Sequence, residues 1–188
     1  MEHASQVRHE FLDGRLVEMS GGSLSHSLIT MNFGAALHAA LVGKRCRALD
    51  SNMKVGIGKA ARFVYPDISV YCGAVQFDPR DPSGQTVSNP RLIVEVLSPS
   101  TEKHDRLEKF DGYMQLESFE EYVLVSQDRP RVETYYRQAD GTWLFAPSVG
   151  LEATVKFRSL GIELGLAGIY ADVEFPAAAE QSLDDPVP

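Results

Sequence analysis

Leu92-Ile93-Val94-Glu95-Val96-Leu97 decides how this chain reads. An apolar run of this length, rich in β-branched residues, reads as a strand covered on both faces. Glu95 interrupts it, and a carboxylate buried there without a partner costs several kcal/mol, so it calls for a cation, a metal ion or a proton. A second acid, Asp67, stands in Tyr65-Pro66-Asp67-Ile68-Ser69-Val70, at the start of another β-prone run where proline is tolerated. Two strands can therefore present two carboxylates to one point, and the segment after Glu95 offers a lysine.

The 188 residues, 44% hydrophobic and 23% charged, are enough for one domain with a substantial core. We read residues 1–175 as that domain and 176–188, with little to bury, as a mobile tail. No apolar stretch approaches the about 18 to 20 residues of a membrane span. Met1 to Glu10 is too polar for a secretory signal, so the expected address is cytoplasmic and not membrane-bound. Cys46 and Cys72 lack the spacing of a zinc site or a disulfide framework and read as buried free thiols. The net charge of −8 argues against a protein that grips nucleic acid over a large surface. Local basic clusters, Lys44-Arg45-Arg47 and Lys103-Arg106-Lys109, leave room for a basic groove or for solvated faces.

Val7 to Met19 reads as an N-terminal β-hairpin turning at Asp13-Gly14. Gly21-Gly22 lacks the lysine and spacing of a phosphate loop and reads as a connection. Ser23 or Ser25 caps a helix in which Leu28, Met31, Ala35, Leu37 and Leu41 recur, and Gly43 stops it. Arg47 to Ile57 and Phe63 to Tyr71 read as a second strand pair turning at Gly56 and Gly58. Ala74 to Pro90 reads as a long surface loop that walls or covers a site. After Ser98-Pro99-Ser100, Thr101 caps a helix from Glu102 to Leu116. Four short β-prone runs, 122–125, 131–136, 142–145 and 153–157, read as a meander completing one sheet, before a helical turn at Leu166 to Tyr170.

Alternation along a strand puts Arg91, Ile93, Glu95 and Leu97 on one face and Leu92, Val94 and Val96 on the other. Asp105, Lys109 and Tyr113, at successive i, i+4 positions, form a polar stripe that can cover the Glu95 face. A hard ion such as Mg²⁺ needs few carboxylates, keeps waters and can activate one of them. Lys109 would then position that water or offset charge on phosphorus.

The order of these segments, a hairpin with a DG turn, EMS, a helix beginning near His26, YPDISV, LIVEVLSPST, DxxxKFxxY and EYVLV, resembles the Uma-two family of restriction-endonuclease-like proteins over His9 to Phe175. That family is similar to a branch of the PD-(D/E)XK nucleases. The resemblance implies an α+β (α/β) fold, a mixed β-sheet flanked by helices, and phosphodiester hydrolysis in nucleic acid, DNA foremost, with Mg²⁺ or Mn²⁺. Residue by residue, it implies Asp67 and Glu95 as catalytic acids and metal ligands, the Val96 carbonyl as a further ligand and Lys109 as the catalytic lysine. Leu97 stands where the wider superfamily places its lysine. His26, Glu18, Asp105 and Tyr113 fall where they can support the site, and an exposed sheet edge could join a homodimer.

The competing readings are structural: Asp67 as a strand-end turn, Glu95 paired to Arg91 or Lys109, Lys109 in an exposed pair with Asp105, and His26 as a solvated helix start. At the level of function they are a catalytically inactive nuclease-fold protein that binds nucleic acid or a protein partner, and a metal-independent two-carboxylate hydrolase such as a glycosidase.

Overall fold

The computed structural model describes residues 9–12, 15–18, 22–58 and 62–176, the side chains of 12 and 15–18 excepted. At the centre lies a six-stranded sheet in the order β11 (Trp143–Val149), β10 (Arg131–Arg137), β9 (Glu121–Val125), β8 (Leu92–Val96), β6 (Ile68–Cys72), β3 (Cys46–Asp50). β8 runs parallel to β9 and antiparallel to β6, so the sheet is mixed. Every residue of β8 is buried, as its near-continuous apolar run requires.

The two faces of β8 feed two cores. Leu92, Val94 and Val96 pack with Ile29, Phe33, Leu37 and Leu41 of helix α1 (Leu24–Leu41). Ile93 and Leu97 pack with Tyr113, Phe119 and Tyr122 beneath a second sheet, β2 (Arg15–Glu18), β1 (His9–Leu12), β5 (Arg62–Val64), β4 (Lys54–Ile57), β7 (Thr86–Val87). The N-terminal hairpin is therefore an edge of this second sheet, anchored by Phe11 opposite Phe63. Its Asp13-Gly14 turn lies outside the described residues, as do Gly21 and residues 177–188 of the expected tail.

Ser23 caps α1, its hydroxyl accepting from the His26 amide at 3.0 Å, and Gly43 ends it with a left-handed φ of 77°. The buried face differs from the expected one: Met31 and Ala35 are exposed, while Ile29 and Phe33 are buried. No residue of α1 carries Asp, Glu, Lys or Arg, so no charged face marks its rotation in the sequence. The runs 47–57 and 63–71 each break in two and nest, β3 with β6 in the large sheet and β4 with β5 in the small one. The break after β3 is a tight turn in which Asp50 accepts from the amides of Asn52 and Met53.

Residues 74–90 are not a simple surface loop. They supply β7 and bury Asp78, Thr86 and Val87 against the second core. The late strands also split, because β12 (Thr154–Phe157) and β13 (Ile162–Gly165) form their own two-stranded sheet rather than extending the meander. Cys46 and Cys72, opposite one another in the β3–β6 register, are joined in a disulfide and are not free thiols. No helix among the described residues is long and apolar enough to cross a membrane.

Between β8 and β9, Ser98 rather than Thr101 organises the next helix: Ser98 Oγ accepts from the Thr101 amide at 3.2 Å, and Thr101 makes no side-chain cap. That helix, α2 (102–113), is α-helical over Glu102–His104, π-helical over Asp105–Lys109 and α-helical again over Phe110–Tyr113. Phe110 stacks on Tyr122 with centroids 5.0 Å apart, and the Tyr122 hydroxyl donates to the Asp105 carbonyl at 2.9 Å, docking α2 on the sheet. Leu166–Ile169 forms the expected final helical turn, α3.

Gly56 of β4 gives a stability test of the second sheet. A Cβ there would collide with the Asp78 carboxylate, which Arg80 already grips through two nitrogens. Gly56→Ala is expected to cost about 1–3 kcal/mol in urea unfolding, the range for forcing a methyl into packed space.

Candidate active site

Asp67 follows Pro66 and directly precedes β6, and the antiparallel pairing Ile68↔Val94 sets it beside Glu95. Its Oδ2 accepts from the Val96 amide at 2.7 Å, and its own amide donates to Glu95 Oε2 at 3.4 Å. These are cross-strand contacts, so Asp67 is more than a local turn residue. Glu95 is 3% exposed, and its Oε1 accepts from the Tyr113 hydroxyl at 2.9 Å and from Lys109 Nζ at 3.3 Å. Arg91, the other candidate partner, turns away to Glu120.

Lys109 is buried and is shared by more than one acid. Its ammonium lies 3.2 Å from Glu10 Oε1, 3.3 Å from Glu95 Oε1 and 3.1 Å from Asp105 Oδ1. The π-helical turn buries Asp105 and Lys109 together against β8. Glu10, on β1, also accepts from the Tyr65 amide at 3.0 Å, which ties the hairpin to the chain entering β6. Sequence reading assigned Glu10 no role. Its one signal is an acid inside a short strand, and the partner that gives it meaning lies far along the chain.

Burial, opposed by Lys109 and reinforced by Asp105, Asp67 and Glu10, pushes the Glu95 carboxyl well above the usual carboxylate range. Burial also works against the Lys109 charge, but Glu95, Glu10 and Asp105 outweigh it and hold its pKa well above that of an ordinary lysine. Lys109 is therefore an ammonium at neutral pH, a charge donor rather than a base. His26, at the start of α1, sets Nε2 3.3 Å from Asp67 Oδ2, and this hydrogen bond raises its pKa despite partial burial.

Glu10, His26, Asp67, Glu95, Asp105 and Lys109 line one cleft of about 900 Å³, walled by α1, β3 and the 98–105 segment. His38 and His104, given no role from sequence, line it as well. Residues 74–90 contribute nothing to it, contrary to the expected wall or lid. The Glu18 side chain lies outside the described residues. Of the two basic clusters only Lys109 lines the cleft: Arg106 is committed to Glu102 and Glu133, and Arg47 donates to the Gly73 carbonyl.

Among the described residues no three His, Cys, Asp or Glu side chains are grouped to hold a metal ion as an all-protein cage. A hydrated hard cation needs less, since Mg²⁺ is held by one or two carboxylates and keeps waters. The donors here are carboxylate oxygens, those of Asp67 and Glu95, which the β6–β8 pairing sets side by side. The residues fit such an ion.

A mixed sheet backed by α1, with paired acids at adjoining strand ends and a lysine brought in from α2, defines a nuclease-like fold. Within that class the chain belongs to the Uma2 family, described as "Putative restriction endonuclease", which it matches over residues 1–171. It is 34% identical over 175 residues to "Uncharacterized protein slr1290" of Synechocystis sp. (strain ATCC 27184 / PCC 6803 / Kazusa), covering 93% of this chain and 89% of that one. A second protein of that organism, "Uncharacterized protein sll1609", is 30% identical over 161 residues, 86% of this chain and 90% of that one. The crystal structure of a "putative nuclease belonging to DUF820" from Anabaena variabilis ATCC 29413 shares the fold, with a TM-score of 0.69 over 88% of this chain and 91% of that one at 17% identity.

The His26–Asp67 contact is directly testable. Asp67→Asn removes the anion that raises the imidazole pKa while burial still lowers it, so His26 is expected to titrate at lower pH than in the wild type by NMR. An unchanged titration would show that the two do not interact.

Proposed function

We propose that this protein is a metal-dependent nuclease that hydrolyses phosphodiester bonds, with DNA the foremost substrate, and that Asp67 and Glu95 hold Mg²⁺ or Mn²⁺. The observation that carries the reading is the convergence of Asp67, Glu95 and Lys109 from β6, β8 and α2 at the floor of a single cleft. Family membership and the shared fold support it. In hydrolysis a bond forms from phosphorus to the oxygen of water while the ester bond to the leaving sugar oxygen breaks. A bound Mg²⁺ would supply a more acidic water and a Lewis acid for the phosphoryl oxygens.

The protein's own groups have distinct tasks. The Val96 amide and His26 fix the Asp67 carboxylate, and the Val96 carbonyl is a further candidate ligand. The Tyr113 hydroxyl and Lys109 orient Glu95. Lys109, kept charged, offsets negative charge developing on phosphorus, and Glu10 and Asp105 hold it in place.

Calorimetry with Mg²⁺ and Mn²⁺, followed by cleavage assays in the same preparations, tests this. Asp67→Ala and Glu95→Ala are expected to abolish both binding and cleavage. Lys109→Met is expected to keep binding and lose about 100- to 1000-fold in rate, the scale for removing one preorganised charge. Metal binding and cleavage that persist in both acid variants would sink the proposal. A wild type that binds neither ion would favour an inactive nuclease-fold protein that binds nucleic acid or a protein partner.

A further inference from the structure

The reactive groups sit deep in the protein. Glu10, Glu95, Asp105 and Lys109 are each 7% exposed or less, and they line the cleft of about 900 Å³. The cleft is acidic. Glu10, Asp50, Asp67, Glu95 and Asp105 line it against Lys109, the one Lys or Arg among its described lining residues, and that lysine is already shared by three acids. Its α1 wall carries no Asp, Glu, Lys or Arg, and beside His26 and His38 it offers Met31, 72% exposed, and Ala35.

This is a poor seat for a duplex. A protein that docks double-stranded nucleic acid lays Lys and Arg along two backbones, and a recessed carboxylate is reached more easily by a flexible strand than by a rigid helix. A flexible strand can enter, lay its bases on an apolar wall and bring one phosphate to the floor. Ser98, Ser100 and Thr101 also line the cleft and give it a cluster of uncharged hydroxyls. We infer that the cleft takes a short unpaired segment of polynucleotide, its bases against Met31 and Ala35 of α1 and one phosphate at Asp67 and Glu95. The inference rests on the nuclease reading and narrows its substrate to single strands.

Binding and cleavage separate the two claims. Labelled single strands of DNA and of RNA, and the same strands annealed to their complements, are titrated by anisotropy with Ca²⁺ replacing Mg²⁺, then assayed for cleavage in Mg²⁺. Opening two base-pair steps sets the expected preference for a single strand at about 100-fold. With one or two phosphates engaged, its affinity is expected to fall less than about tenfold between 50 and 200 mM salt. Met31→Glu places a like charge on the wall and is expected to weaken single-strand binding about tenfold with Tm unchanged, whereas Met31→Leu keeps it. Equal or tighter duplex binding, or Met31→Glu without effect, overturns the inference even if the protein proves a nuclease. Single-strand preference without cleavage in Mg²⁺ or Mn²⁺ upholds the inferred ligand and overturns the nuclease reading. The DNA and RNA arms show which sugar the cleft accepts.

Discussion

One ammonium group organises the site and much of what surrounds it. Lys109 Nζ lies within ion-pair distance of Glu10, Glu95 and Asp105, and these come from the N-terminal hairpin, the central strand and the helix that follows it. Three carboxylates around one point cannot all ionise without a cation among them, because each raises the cost of charging the others. The lysine thus holds a strand of the small sheet against the large one. Removing one partner of such a buried pair typically costs about 3–5 kcal/mol, since the remaining charges are left in a poor medium. This electrostatic knot adds to the Phe11↔Phe63 pairing and the Tyr65 amide bond to Glu10 in giving the hairpin a defined place.

β8 separates the packing role of the sheet from its chemical role. Leu92, Val94 and Val96 face α1 and belong to an apolar core, while Glu95 sits on the other face between Ile93 and Leu97. The period of two places a charge next to a dry core without exposing either to water. The backbone takes part as well, for the Val96 amide is spent on Asp67 and so locks the second acid to the strand that carries the first.

The parts of the site that repeat locally were readable in the sequence. A lone acid in a buried strand, an acid after a proline at a strand start, and a stripe at i, i+4 each have a short-range signature, and Glu95, Asp67, Asp105, Lys109 and Tyr113 meet as those signatures require. Glu10 was hidden because its charge partner, Lys109, comes from the other half of the chain. The face of α1 was misread because a helix without charged residues gives no polar reference. The nesting of β3 and β6 around β4 and β5, and with it the Cys46–Cys72 bond, depends on long-range register that no local pattern records.

The π-helical turn of α2 also sets a phase. An α-helix advances about 100° per residue, so the number of residues between Asp105 and Tyr113 fixes the direction in which the ring leaves the axis. The wide turn over Asp105–Lys109 winds that stretch less tightly than α pitch would, and the Tyr113 hydroxyl meets Glu95 at 2.9 Å. Shortening the turn by a single residue would leave composition, hydropathy and charge almost untouched and rotate the tyrosine out of reach. In this segment chain length itself carries information, and a family member with a one-residue gap there would keep the fold while its carboxylate lost a donor.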